Sequence, residues 1–123
     1  MAMESRAGAR VMIDATIMVE IDIGMKEDIR VLREPHKAEI IDISVLGVGI
    51  IAPIYFPRNA ILVIDMDASP FNVEKHVIII GEVRYCRPSK GGKYRLGVKF
   101  AEMDKSFLSK IKDYVEQNKN KSA

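Results

Sequence analysis

The chain has 123 residues, 48% of them hydrophobic and 29% charged, with 19 Lys and Arg against 17 Asp and Glu for a formal net charge of +2. That length suits one domain around one core, and the aliphatic content excludes intrinsic disorder. So even a balance argues against a duplex-binding protein, whose excess cations gather on one face, but leaves room for a small anionic ligand. The longest apolar-rich stretch, residues 40–56, is broken by Asp42, Ser44 and Pro53 and is too short and polar to span a bilayer. Met1–Arg6 lacks the apolar core of a secretory signal. The single Cys86 cannot make an internal disulfide, so a soluble protein of the reducing cytoplasm is expected.

Period-two alternation runs through the first hundred residues. Ile13, Ala15, Ile17, Val19 and Ile21 share one face of a strand over residues 11–21, with Met12, Asp14, Thr16, Met18 and Glu20 on the other. A turn follows from Gly24 to Asp28. A second strand is interrupted near Pro35 and resumes over residues 37–43. Residues 47–52 read as a third strand, stopped by Pro53 and the Pro57-Arg58-Asn59 turn, and residues 60–66 as a fourth. After the Asp67–Asn72 turn, a long fifth strand covers residues 73–86, with a bulge or bend expected at Gly81. Residues 88–92 form a hairpin loop, because adjacent glycines accept positive φ. Residues 94–100 alternate most cleanly of all. The period then changes: Phe107, Leu108, Ile111, Tyr114 and Val115 lie on one helical stripe, with Asp104 or Ser106 as N-cap and a fraying polar tail beyond. Six antiparallel strands and one C-terminal helix make a mainly-β fold, a small barrel or strongly twisted sheet.

No enzyme motif emerges. His36 and His76 have no partner at metal-ligand spacing, and neither a nucleophile elbow nor a phosphate-cradling glycine loop occurs. Asp65 and Asp67 read as a solvated strand edge, His76 as a strand-surface or satisfied partly buried histidine, and Cys86 as a small buried hydrophobe. Lys93, Arg95 and Lys99 face outward along the last strand; they read first as a solvated face and second as added attraction for an anion.

Two segments carry more. Arg6 and Arg10 form R-x-x-x-R just before the first strand, and Asp42, Ser44 and Gly47 form D-x-S-x-x-G at the end of the second. Taken alone, the first is a solvated basic segment, and the second a Ser or Asx turn in which Gly47 supplies positive φ. Together, in this order and at these strand boundaries, they resemble the PilZ domain family, bacterial receptors for cyclic di-GMP. The resemblance extends over residues 6–115, through the strands around Gly81–Tyr85 and Tyr94–Phe100 to the final helix. It implies a six-stranded antiparallel β-barrel with a C-terminal α-helix, in agreement with the periodicity. It divides the chain into a flexible arm (residues 1–10), the barrel and helix (11–116) and a polar tail (117–123).

The ligand so implied suits these residues chemically. A guanine offers O6 and N7 to an arginine fork, its N1–H and N2–H₂ donors suit a carboxylate, and arginine also pairs with phosphate. Asp42, rigid on its strand, is expected at the guanine donor edge, with Ser44 beside it on the same face. Gly47 would leave room for ligand or turn, and Arg6 and Arg10 would close over the barrel as a latch. The resemblance thus implies a stand-alone, non-enzymatic cyclic di-GMP receptor or adaptor. It would use Arg6, Arg10, Asp42, Ser44 and Gly47, need no cofactor or metal, and change conformation to signal to an unidentified downstream protein. No DNA or RNA partner and no membrane insertion are expected. The alternative is a degenerate PilZ-like protein-interaction module that binds no nucleotide. An oligonucleotide-binding barrel is disfavoured, because four Phe, four Tyr and no Trp leave few aromatics for a stacking groove.

Overall fold

Six strands close into an antiparallel barrel in a computed structural model that describes residues 10–24 and 34–121, the side chains of 14–18 and 121 excepted. The strands are β1 (Arg10–Ile23), β2 (His36–Ser44), β3 (Gly47–Ala52), β4 (Ile61–Asp67), β5 (His76–Pro88) and β6 (Tyr94–Glu102). Around the barrel they run β1-β2-β3-β6-β5-β4, with β4 pairing back onto β1. Closure leaves no ladder unpaired at an edge. It also sets β6 beside β3 across more than forty intervening residues, which matters for the site.

The interior is aliphatic. Val11, Val19, Ile21, Ala38, Ile40, Ile43, Val48, Ile50, Leu62, Ile64, Met66, Ile79, Val83, Leu96 and Val98 are all buried in one continuous cluster. Beyond β6, the helix α1 (Lys105–Gln117) buries Phe107, Ile111 and Val115. Its aromatic anchor is Phe71, whose ring stands edge-on to Phe107 at 5.6 Å and tilted against Tyr114 at 5.0 Å. Asp104 occupies the N-cap position: its backbone carbonyl accepts from the Phe107 and Leu108 amides at 3.1 and 3.0 Å, while its carboxylate takes the Ser106 hydroxyl. That hydroxyl is the main reason the Asp104 carboxyl lies below its ordinary pKa.

Several boundaries differ from the sequence reading for local reasons. β5 begins at His76 rather than Val73, because Ser69–Phe71 coil into a 3₁₀ turn that ends on Asn72 in the left-handed region (φ 64°). The Val73 amide closes that turn on the Ala68 carbonyl at 3.3 Å. Gln117 still belongs to α1, and a 3₁₀ turn at Lys119–Lys121 lies beside β1 where a fraying tail was expected. Arg10, assigned to the arm, is the first residue of β1 and pairs with Ser44. The turn from Gly24 to Asp28 and the strand segment before Pro35 fall largely outside the described residues, as does the arm before Arg10. The bulge expected at Gly81 is present as a register shift between Ile80 and Gly81, and Gly91 and Gly92 both take positive φ in the β5–β6 hairpin. Among the described residues no helix is long and apolar enough to cross a membrane.

Candidate functional site

The site is made by a change of phase in β2. Ala38 and Ile40 point inward, so strict alternation would drive Asp42 and Ser44 into the core as well. The β2–β3 ladder shifts register between Ile40 and Asp42, a bulge at Ile41. It puts Ile43 inside and turns Asp42 and Ser44 onto the barrel's outer face. Two rows of cross-strand partners then run across β1, β2, β3, β6 and β5. Val11, Ile43, Val48, Val98 and Val83 form the buried row; Met12, Asp42, Gly49, Gly97 and Tyr85 form the outer one.

Two adjacent glycines in the outer row leave a furrow floored by backbone. The Asp42 carboxylate lies over Gly49, where a Cβ would come within 2.6 Å of Oδ1. The Tyr85 ring lies over Gly97, where a Cβ would enter the ring. A second bulge, between Val83 and Tyr85, aims Tyr85 at that gap. Asp42 is thus only 1% exposed although it belongs to the outer face. A buried carboxylate needs partners, and among the described residues it has two. Arg10 Nη1 donates to Oδ1 at 2.5 Å from the β1 side, and Arg95 Nη2 to Oδ2 at 2.9 Å from β6. Their own side chains stay 37% and 42% exposed. Tyr85, chiefly by hydrogen bonding, and after it Asp42 hold the Arg95 guanidinium above its ordinary pKa despite partial burial.

Ser44 serves the turn. Its Oγ accepts from the Leu46 and Gly47 amides at 3.1 and 3.2 Å, which leaves its own proton free to donate. Gly47 is not in the left-handed region. It is required because β3 comes so close to β6 that a Cβ would overlap the Val98 carbonyl oxygen. Four of the five expected site residues, Arg10, Asp42, Ser44 and Gly47, therefore meet at one end of β2; Arg6 lies outside the described residues.

Above them is a pocket of about 310 Å³ lined by Arg10, Asp42, Leu46, Arg84, Tyr85, Arg95 and Lys99, among others. Among the described residues, four cations and one carboxylate line it, and that carboxylate is already shared by two of the cations. Leu46, 52% exposed, forms an apolar lip. Such a pocket attracts an anion with planar, hydrogen-bonding groups. Tyr85 is a residue that sequence reasoning missed, and Arg95, read first as part of a solvated face and only second as added attraction for an anion, is no solvated bystander. Its only sequence signal was the outward parity it shares with Lys93 and Lys99, which says nothing of Asp42. Among the described residues no group of three or more His, Cys, Asp or Glu could hold a metal ion.

The PilZ domain profile matches residues 4–117. The chain belongs to the PilZ domain family. Solved structures agree at the level of fold. The inhibitor of motility MotI/DgrA of Bacillus subtilis superposes with a TM-score of 0.73 at 16% identity, over 97% of this chain and 54% of that one. The PilZ domain of Escherichia coli YcgR, solved with c-di-GMP, gives 0.60 at 8% identity, over 90% and 88%. The K. pneumonia MrkH–c-di-GMP complex gives 0.60 at 13%, over 88% and 48%. This PilZ chain thus spans about half the length of MotI/DgrA and of MrkH. No curated protein matches it in sequence.

Proposed function

We propose that this PilZ domain is a receptor for cyclic di-GMP that relays binding to a protein partner in the cytoplasm. The observation that carries the reading is the meeting of both motifs in one cationic pocket, with Arg10 of the first bonded to Asp42 of the second. The ligand carries two phosphodiesters and two guanines. Arginine forks suit the phosphate oxygens and the guanine O6/N7 edge alike, and exposed Leu46 offers an apolar edge. The solved complexes of YcgR and MrkH, which contain this nucleotide on the same fold, support the choice.

The geometry modifies the role expected of Asp42. Both its oxygens are taken by arginines, so a guanine donor edge reaches it only when one fork lets go. With its forks in place, Asp42 is the shared anchor that aims them. Its burial beneath them supplies a route to signalling: ligand that draws on either arginine alters the contact between β1 and β6.

Thermal melting tests the reading. Cyclic di-GMP at a hundred times its dissociation constant adds about 2.7 kcal/mol of stability, a rise of about 10 °C for a domain of this size. GMP and single-stranded DNA serve as controls. No shift with the cyclic dinucleotide would leave the ligand-free interaction module as the better reading.

A further inference from the structure

Arg95 stands outside both motifs, yet it closes the wall of the pocket opposite Arg10. We propose that Arg95 is a third ligand-binding arginine and that Tyr85 is the positioning residue that sets its guanidinium. The inference rests on the receptor reading above and adds a residue pair to it.

Three observations converge. First, beyond its hydrogen bond to Tyr85, Arg95 donates one Nη–H to Asp42 and still has donors to spare, on a side chain 42% exposed at the pocket. Arg10 does the same from the other side, so the two forks straddle one buried carboxylate and face the same space. Second, Arg95 lies directly opposite Arg87 on β5. Like charges in that position destabilise a sheet, and here each is drawn aside, Arg95 to Asp42 and Arg87 over the Tyr85 ring at 4.5 Å. An anion in the pocket relieves the repulsion that remains. Third, Tyr85 is fixed on both faces, with Gly97 beneath and the Arg87 guanidinium above. Its ring is thereby held over β6 at Gly97, two residues from Arg95 on the same face of that strand, and both side chains line the pocket; hydrogen bonding between them agrees with the raised Arg95 pKa.

Calorimetric titration of the whole chain with cyclic di-GMP, beside ligand-free melting, tests this. Arg95→Ala should weaken binding roughly tenfold to a hundredfold, the range for a charge-assisted hydrogen bond. Arg95→Lys, which keeps a cation beside Asp42 but loses the fork, should also bind weakly while melting like the wild type. Tyr85→Phe keeps the ring over Gly97 and should weaken binding about threefold to tenfold. That loss should vanish in the Arg95→Ala background, a coupling that a purely structural tyrosine would not produce. If both Arg95 variants bind as tightly as wild type or tighter while Arg10→Ala does not, Arg95 is no ligand contact. If Tyr85→Phe loses affinity equally in both backgrounds, Tyr85 does not act through Arg95. Wild-type protein that binds no cyclic di-GMP overturns the receptor reading itself, and this inference with it.

Discussion

The barrel's outer face carries two charged clusters of opposite build. Around the furrow, Arg10, Arg84, Arg95 and Lys99 surround one carboxylate that is 1% exposed. On β1, β4 and β5, Glu20, Asp65 and Asp67 surround one histidine: Glu20 faces Asp65, Asp67 faces His76, and His76 Nδ1 bonds Asp65 Oδ1 at 2.8 Å. There the side chains are 67% and 26% exposed for His76 and Asp65. Both clusters contain a short ion pair, but the difference in burial separates their consequences. Water screens the exposed pair and supplies alternative partners, so such pairs contribute little. Asp42 has no water to fall back on, so each arginine that lets go leaves a buried charge short of a partner. Glycine creates that contrast, since the furrow exists only because Gly49 and Gly97 carry no side chain.

The largest effect should come from breaking the buried pair. Arg10→Ala and Asp42→Ala should each lower affinity for cyclic di-GMP by about 2–5 kcal/mol, roughly thirtyfold or more, while circular dichroism retains the barrel signal. Titrations matching wild type would remove these residues from the site. A smaller effect should follow from Gly49→Ala. The added methyl displaces the Asp42 carboxylate from its floor, overpacking that typically costs about 1–3 kcal/mol. Both the melting temperature and the affinity should fall, though the affinity less than in Arg10→Ala.

The acidic cluster should show the smallest effect. Asp65 raises the His76 pKa above its ordinary 6.5, first by the hydrogen bond and then by charge. The folded state therefore holds that proton more tightly than the unfolded chain. The resulting stabilisation is fully present below about pH 6.5 and is lost as pH rises through the raised value. A histidine-resolved NMR titration should find the His76 midpoint above 6.5, returning toward it in Asp65→Asn. Ligand affinity should not follow that titration, because the arginines of the furrow stay charged throughout. An affinity that tracks His76 would tie the two clusters together.

Much of the fold was legible because its signals are local. Alternation in residues 94–100 and the stripe of Phe107, Ile111 and Val115 depend only on backbone period and burial, and both elements stand where that pattern puts them. The turn at Gly91-Gly92 was legible for the same reason, since positive φ belongs to the residue itself. Gly47 was legible as a required glycine but not for its actual reason, which is the approach of a strand half the chain away. The extent of β5 was obscured because Phe71 is held by α1 rather than by its neighbours in sequence.

The sequence by itself determined the order of strands and helix, the two motifs, and the placement of Asp42 and Ser44 on one face. It left open which face that was. A bulge at Ile41 decided it, and a bulge is settled by how two strands register, not by the residues of one. Only the closed barrel could bring Arg95 to a carboxylate 53 residues earlier, because β6 adjoins β3 through ring closure. Side-chain period is local and survives in the chain; partnership across a barrel is a property of the whole ring.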